Sequence, residues 1–195
     1  DSLRYDEERH FGRMRQLTYG GDNAEAYWSF GNDKLVFQAN NPNWSTGCDQ
    51  IFTLNLDADY TPTSERPEQI SSGLGRTTCA YFMPGDSTVV FASTHLADSL
   101  CPAVPPKGPN GEYVWPIYEG YDVFTYDLEG NLQMQLTDLP GYDAEATVSP
   151  TGDRMVFTST RSGDLELYTC DLDGTNVVQV TKDLGYDGGA FFSPD

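Results

Sequence analysis

The chain has 195 residues, enough for one ordinary domain with a real core. Hydrophobic residues make up 38% and charged residues 21%, which excludes a disordered chain, and no apolar run approaches the ~20 residues of a membrane-spanning helix. Asp and Glu number 30 against 11 Lys and Arg, and the net charge of -19 repels phosphate backbones, excluding nucleic acid and favouring cations or basic protein patches as partners.

The sequence opens at Asp1 without a Met or a signal-peptide apolar stretch, so it is expected to be a processed or trimmed product. Residues 1–12 read as an N-terminal extension. Met14-Arg15-Gln16-Leu17-Thr18 then reads as a strand, within a segment bounded at 13–18. After it come four segments that align without gaps: GDNAEAYWSF from Gly21, GRTTCAYFMP from Gly75, GYDAEATVSP from Gly141 and GYDGGAFFSP from Gly185. All open on Gly and carry Ala five places later, at Ala26, Ala80, Ala146 and Ala190.

A second block follows in three of them: Lys34-Leu35-Val36-Phe37, Thr88-Val89-Val90-Phe91 and Arg154-Met155-Val156-Phe157. A third reads Gln50-Ile51-Phe52-Thr53-Leu54, Asp122-Val123-Phe124-Thr125-Tyr126 and Glu166-Leu167-Tyr168-Thr169-Cys170. A fourth, Gln133-Met134-Gln135-Leu136-Thr137 and Val177-Val178-Gln179-Val180-Thr181, matches the opening strand. Each block is short and rich in β-branched or aromatic residues, and turn signals such as Asp173-Gly174-Thr175 separate them.

The unit is therefore four antiparallel strands, A to D, and its recurrence every ~40–50 residues is the mark of a β-propeller. The fold class is all-β, with blades at about 21–74, 75–140 and 141–184 and the first strand of a fourth at 185–195. In a ring, the orphan strand at 13–18 would complete the last blade. Three blades cannot close a ring, so the chain is expected to be part of a longer polypeptide.

The segment GYDAEATVSPTGDRMVFTSTRSGDLELYTCDLDG resembles the Ser-Pro-Asp-Gly repeat of TolB-like propellers, and the resemblance covers residues 13–195. It departs at Met83-Pro84-Gly85-Asp86 and Ser29-Phe30-Gly31-Asn32, which bears on turn detail. The resemblance implies a six-bladed ring, a periplasmic or extracellular location, and protein binding rather than catalysis. The expected function is a non-enzymatic binding or scaffold module. The alternatives are the accessory propeller of a larger serine-peptidase-type hydrolase, or a propeller-based polysaccharide lyase. The lyase would want channel-facing His and basic residues that are scarce here.

Repeat lengths locate the insertions. Phe91 to Phe124 spans 33 residues where Phe157 to Tyr168 spans 11, so 22 extra residues lie between strands B and C of the second repeat, within 94–121. Smaller gains fall around 40–48 and 59–68. B–C and D–A connections leave a blade on the same face, where a rigid scaffold carries its binding loops.

That face holds the candidate residues. Asp22, Glu25, Asp143, Glu145 and Asp187 belong to the D–A segments, and innermost strands would bring them to the mouth of the central channel. Converging oxygens suit calcium, which takes six to eight. Turn chemistry is the other reading of the same carboxylates. Asp171-Leu172-Asp173-Gly174 superficially suggests a calcium loop but aligns with a C–D hairpin. His95, Tyr113, Trp115 and Tyr118 in the long insert form a candidate binding face for a peptide, or for a glycan if the rings are exposed. If they pack down, the insert is a structural lid. Cys170 reads as a buried small hydrophobe. A Cys79–Cys101 disulfide is favoured because it would staple the insert to its own blade, with Cys48–Cys101 as competitor. Asn43-Trp44-Ser45 fits a glycosylation sequon.

Overall fold

A computed structural model describes residues 5–12, 14–44, 47–112, 114 and 116–194. Among them there is no helix, and none therefore long and apolar enough to cross a membrane. There are three four-stranded sheets. The first contains β1 (Asp22–Trp28), β2 (Lys34–Asn40), β3 (Gln50–Asn55) and β4 (Glu68–Gln69). The second contains β5 (Thr77–Phe82), β6 (Thr88–Ser93), β7 (Asp122–Asp127) and β8 (Leu132–Gln135). The third contains β9 (Asp143–Val148), β10 (Arg154–Ser159), β11 (Glu166–Asp171) and β12 (Val178–Gln179).

Every neighbouring pair is antiparallel and in chain order, as the sequence blocks require. Residues 14–20 carry no strand pairing; Leu17 lies against the Leu35, Phe37, Phe52 and Leu54 cluster. Residues 187–194 are likewise unpaired, but Tyr186 bridges Leu165 in parallel as Tyr142 bridges Tyr121.

The core lies between sheets. Val36, Ile51 and Ile70 of the first sheet pack on Ala80, Phe82, Val89, Phe91, Phe124 and Tyr126 of the second. Met83, Val90 and Val123 pack on Ala146, Val148, Met155, Phe157 and Tyr168 of the third. Each fully buried Phe contributes about 1.5–3 kcal/mol by leaving water, so these interfaces set the blade spacing.

Side-chain hydroxyls finish each sheet where the ladder stops. The Ile51, Val123 and Leu167 amides donate to Ser71 Oγ, Thr137 Oγ1 and Thr181 Oγ1, all at 2.9 Å. At the A–B turns, Ser29 Oγ accepts from the Asp33 and Lys34 amides, and Ser149 repeats this with Asp153 and Arg154. The second sheet departs: Asp86 instead accepts from the Phe30 and Gly31 amides of the neighbouring turn at 2.8 and 2.7 Å.

The glycine that opens each of the first three repeats has a steric origin. At Gly75 (φ +59°) a Cβ would sit 2.7 Å from Thr94 Oγ1, and at Gly21 (φ +62°) 2.5 Å from the Asn40 carbonyl. The B–C connection starts by crossing the D–A segment at that point. Thr94 donates its amide to the Arg76 carbonyl and accepts the Arg76 amide on Oγ1, and Thr160 does both with Tyr142. The two kinds of connection therefore share one face.

Candidate functional site

Strand A departs from regular pairing just before the shared Ala. Glu25, Cys79, Glu145 and Gly189 occupy equivalent positions, with φ of 52°, 51°, 58° and 63°. In β1, β5 and β9 the register against strand B slips there, so each strand carries a bulge. Left-handed backbone costs a non-Gly residue about 1–2 kcal/mol. Contacts between blades offset it. Gln38 Oε1 accepts from the Cys79 amide at 3.0 Å and Thr78 Oγ1 at 2.9 Å. Glu145 accepts from the Gly189 amide at 2.8 Å, Thr158 Oγ1 at 2.7 Å and the Tyr186 hydroxyl.

Two residues further along, Tyr27, Tyr81 and Phe191 meet, with ring centroids 5.5, 5.5 and 6.2 Å apart. A cavity of about 270 Å³ borders Tyr27, Phe191, Glu25, Cys79 and Glu145. Burial pushes the Cys79 thiol up to about 12, with Glu145 and Glu25 adding and a Thr78 hydrogen bond opposing, so it stays protonated.

The five carboxylates of the sequence reading do not act together. Asp143 is buried and paired with Arg161 at 3.0 Å. Glu145 is spent on its three donors, and Glu25 accepts from the Tyr27 hydroxyl. Asp22 is exposed and Asp187 half-buried. Among the described residues, no group of three or more Asp, Glu, His or Cys side chains is arranged to hold a metal ion. The Asp171–Asn176 segment is a C–D hairpin, closed by Asp171 accepting from the Gly174 amide and donating to the Thr175 carbonyl.

His95 is half-buried at the head of the insert. Its Nδ1 lies 2.9 Å from Ser93 Oγ, its Nε2 3.2 Å from the Tyr126 hydroxyl, and its ring packs on Phe124. Burial lowers its pKa and keeps it neutral at pH 7. Ser93 is buried, and the second ring nitrogen meets a phenol rather than a carboxylate, so the orienting acid of a nucleophilic pair is missing. In the third blade Arg161 takes the equivalent place, donating from Nε to Ser159 Oγ over the Phe157 and Tyr168 rings. A residue after the B–C crossing that folds back onto the blade is thus a repeated structural device.

Tyr118 is packed down. Its hydroxyl donates to the Ala103 carbonyl, and its ring lies 6.1 Å from Tyr121 and under Arg76. Tyr113 and Trp115 fall outside the described residues, as does Ser45 of the sequon.

The favoured disulfide is corrected. Cys101 is bonded to Cys48, and Cys79 and Cys170 are free thiols. Cys79 lies in β5 beside the axial cavity, whereas Cys48 and Cys101 both belong to B–C connections at the rim. The bond therefore ties the insert to the first blade, not to its own.

A second cavity, of about 280 Å³, lies where the first two blades meet the start of the third. It is lined by Glu25, Gln38, Asp49, Arg76, Tyr118, Tyr121 and Tyr142, among others. Arg76 pairs with Asp49 at 2.7 Å. Burial pushes the Asp49 carboxyl up, Arg76 opposes and Asp22 adds. Of this group, Glu25 and Tyr118 stand out in the sequence but are not brought together there, because the members are spread over three repeats.

No family model matches the sequence, and no curated protein stands as a relative of it. Among solved structures, the chain is similar to TolB from Acinetobacter baumannii, at 16% identity and a TM-score of 0.55, over 86% of this chain and 34% of that one. These sheets are β-propeller blades. A puromycin-hydrolyzing peptidase from Mycobacterium tuberculosis carries the same propeller arrangement, at 15% identity and a TM-score of 0.54, over 85% of this chain and 23% of that one. The chain spans about a third of the TolB propeller protein, and the likeness is one of fold.

Proposed function

We propose that this chain is a non-enzymatic propeller segment, secreted or periplasmic, that binds a basic protein or peptide on the face formed by its D–A and B–C connections. The observation that carries the reading is an imbalance of charge. On that face Arg76 and Arg161 are neutralised by Asp49 and Asp143, and only Lys107 and Lys182 carry positive charge without an ion-pair partner among the described residues. Asp22, Asp98, Glu119, Asp138, Asp183 and Asp187 have no ion-pair partner among the described residues. Such a surface speeds encounter with a positively charged partner and rejects acidic ones. The Cys48–Cys101 bond supports an oxidising compartment. The resemblance to TolB-like propellers supports protein binding. The likeness to a peptidase propeller supports a second reading, an accessory propeller of a hydrolase.

The test is calorimetric titration with an arginine-rich peptide at low and moderate salt. Binding should weaken by roughly tenfold or more as exposed charges are screened. It should also weaken in the variant Asp22→Asn/Asp98→Asn/Asp183→Asn/Asp187→Asn. Equal binding of an acidic peptide, or an unaffected variant, would overturn the reading.

A further inference from the structure

We propose that the cavity where the first two blades meet the start of the third is a socket for one basic side chain, Lys or Arg, of the partner, with Tyr118, Tyr121 and Tyr142 as aromatic walls and Glu25 as the counter-charge. This rests on the reading of the face as a site for a basic partner.

The first support is an incomplete set of hydrogen bonds. Tyr121 and Tyr142 are each only 3% exposed, yet neither hydroxyl has a hydrogen-bond partner among the described residues. Four others have a partner: Tyr27 in Glu25, Tyr118 in Ala103, Tyr126 in His95 and Tyr186 in Glu145. Both hydroxyl oxygens are open rather than sealed, since the buried polar atoms without a partner among the described residues are Arg76 Nε, Glu166 Oε2 and the Tyr168 hydroxyl. Two such groups in one cavity are placed to meet a ligand. The Tyr121 hydroxyl lies within electrostatic reach of Arg76, Asp49, Cys79 and Tyr118, which places it in this cavity's lining.

The second support is ring geometry together with charge. Tyr121 meets Tyr142 edge-on at 5.6 Å and Tyr118 at 6.1 Å, forming a continuous aromatic wall. Aromatic faces attract cations, and more strongly where water is excluded. The Arg76 charge is met by Asp49 at 2.7 Å and by the Tyr118 ring, while its buried Nε has no acceptor among the described residues. Glu25 then leaves the lining one net negative charge, and the surrounding protein carries -19. An anion would be repelled.

At about 280 Å³ the cavity lies at the lower end of the ~300–1,000 Å³ range of small-ligand sites. One long side chain reaching in from a partner on the face fits it.

The probe is the blocked pentapeptide Gly-Ser-Arg-Ser-Gly, compared with the same peptide carrying citrulline, the neutral isostere of Arg. The arginine peptide should bind roughly tenfold more tightly, from charge and cation–π attraction together. Tyr121→Phe, which keeps the ring, and Glu25→Gln should each remove a several-fold part of that difference. Equal affinity for the two peptides, or no effect of either variant, overturns the socket. If the socket fails while the arginine-rich peptide still binds and responds to the four-site face variant, the broader reading stands. If that peptide fails too, both readings fall.

Discussion

Asp122 stands first in β7, with Thr137 Oγ1 and Gln135 Nε2 donating to its carboxylate. Burial nonetheless pushes its pKa up to about 6, and Asp143 and Asp138 add to the rise. A carboxyl whose pKa is raised on folding holds its proton more tightly in the native state. Stability should therefore increase as pH falls from about 7.5 through 6 towards the unfolded value near 4. Replacing Asp122 with Asn removes that dependence. The melting temperature of the variant should exceed that of the wild type most at pH 7.5, and the gap should shrink by pH 5. A gap independent of pH would show that Asp122 titrates normally. At this scale the sequence was partly readable. Gly and Ala stood out because a Cβ at Gly75 would strike Thr94 and because Ala80 and Ala146 are packed between blades. The left-handed conformation between them was not legible, since neither Glu at 25 and 145 nor Cys at 79 is a residue type that favours positive φ. The one available sign was Gly189 at the same register.

Strand identity was legible because each block alternates towards two neighbouring blades; the long insert was not, because loop packing depends on distant partners. Cys79 falls one residue before Ala80, which places it on an innermost strand, while Cys48 and Cys101 lie on adjacent rim connections. The disulfide closes a separation of 53 residues, for which a stabilisation of about 2–4 kcal/mol is typical. Denatured, unreduced protein should show two thiols, and both should resist alkylation in the native state. Their pKa values are pushed up to about 12 and 11 by burial, at Cys79 and Cys170 respectively. Reduction should raise amide exchange first across 97–108 and leave β6 and β7 protected. Four reactive thiols, or strand exchange preceding insert exchange, would contradict this arrangement.

Across the whole molecule, three blades present two different ends. The first and third A–B turns are each closed by their own serine hydroxyl, and Asp86 reaches from the second turn to the first. The opposite face carries the insert, the disulfide, the unpaired carboxylates and the socket. Repeat lengths announced that asymmetry, because nearly all added residues fall in connections on one side. They did not announce the aromatic contact of Tyr27, Tyr81 and Phe191, which needs three blades in place at once. The account stands on the claim that the acidic face takes the partner. Amide chemical-shift mapping with the arginine-rich peptide tests this most directly. Shifts should concentrate at Gly75, Arg76, Thr78, His95 and Tyr121 and be negligible at Gly31, Asp86 and Gly152. Shifts centred on those A–B turns, or a spectrum unchanged by the peptide, would contradict it.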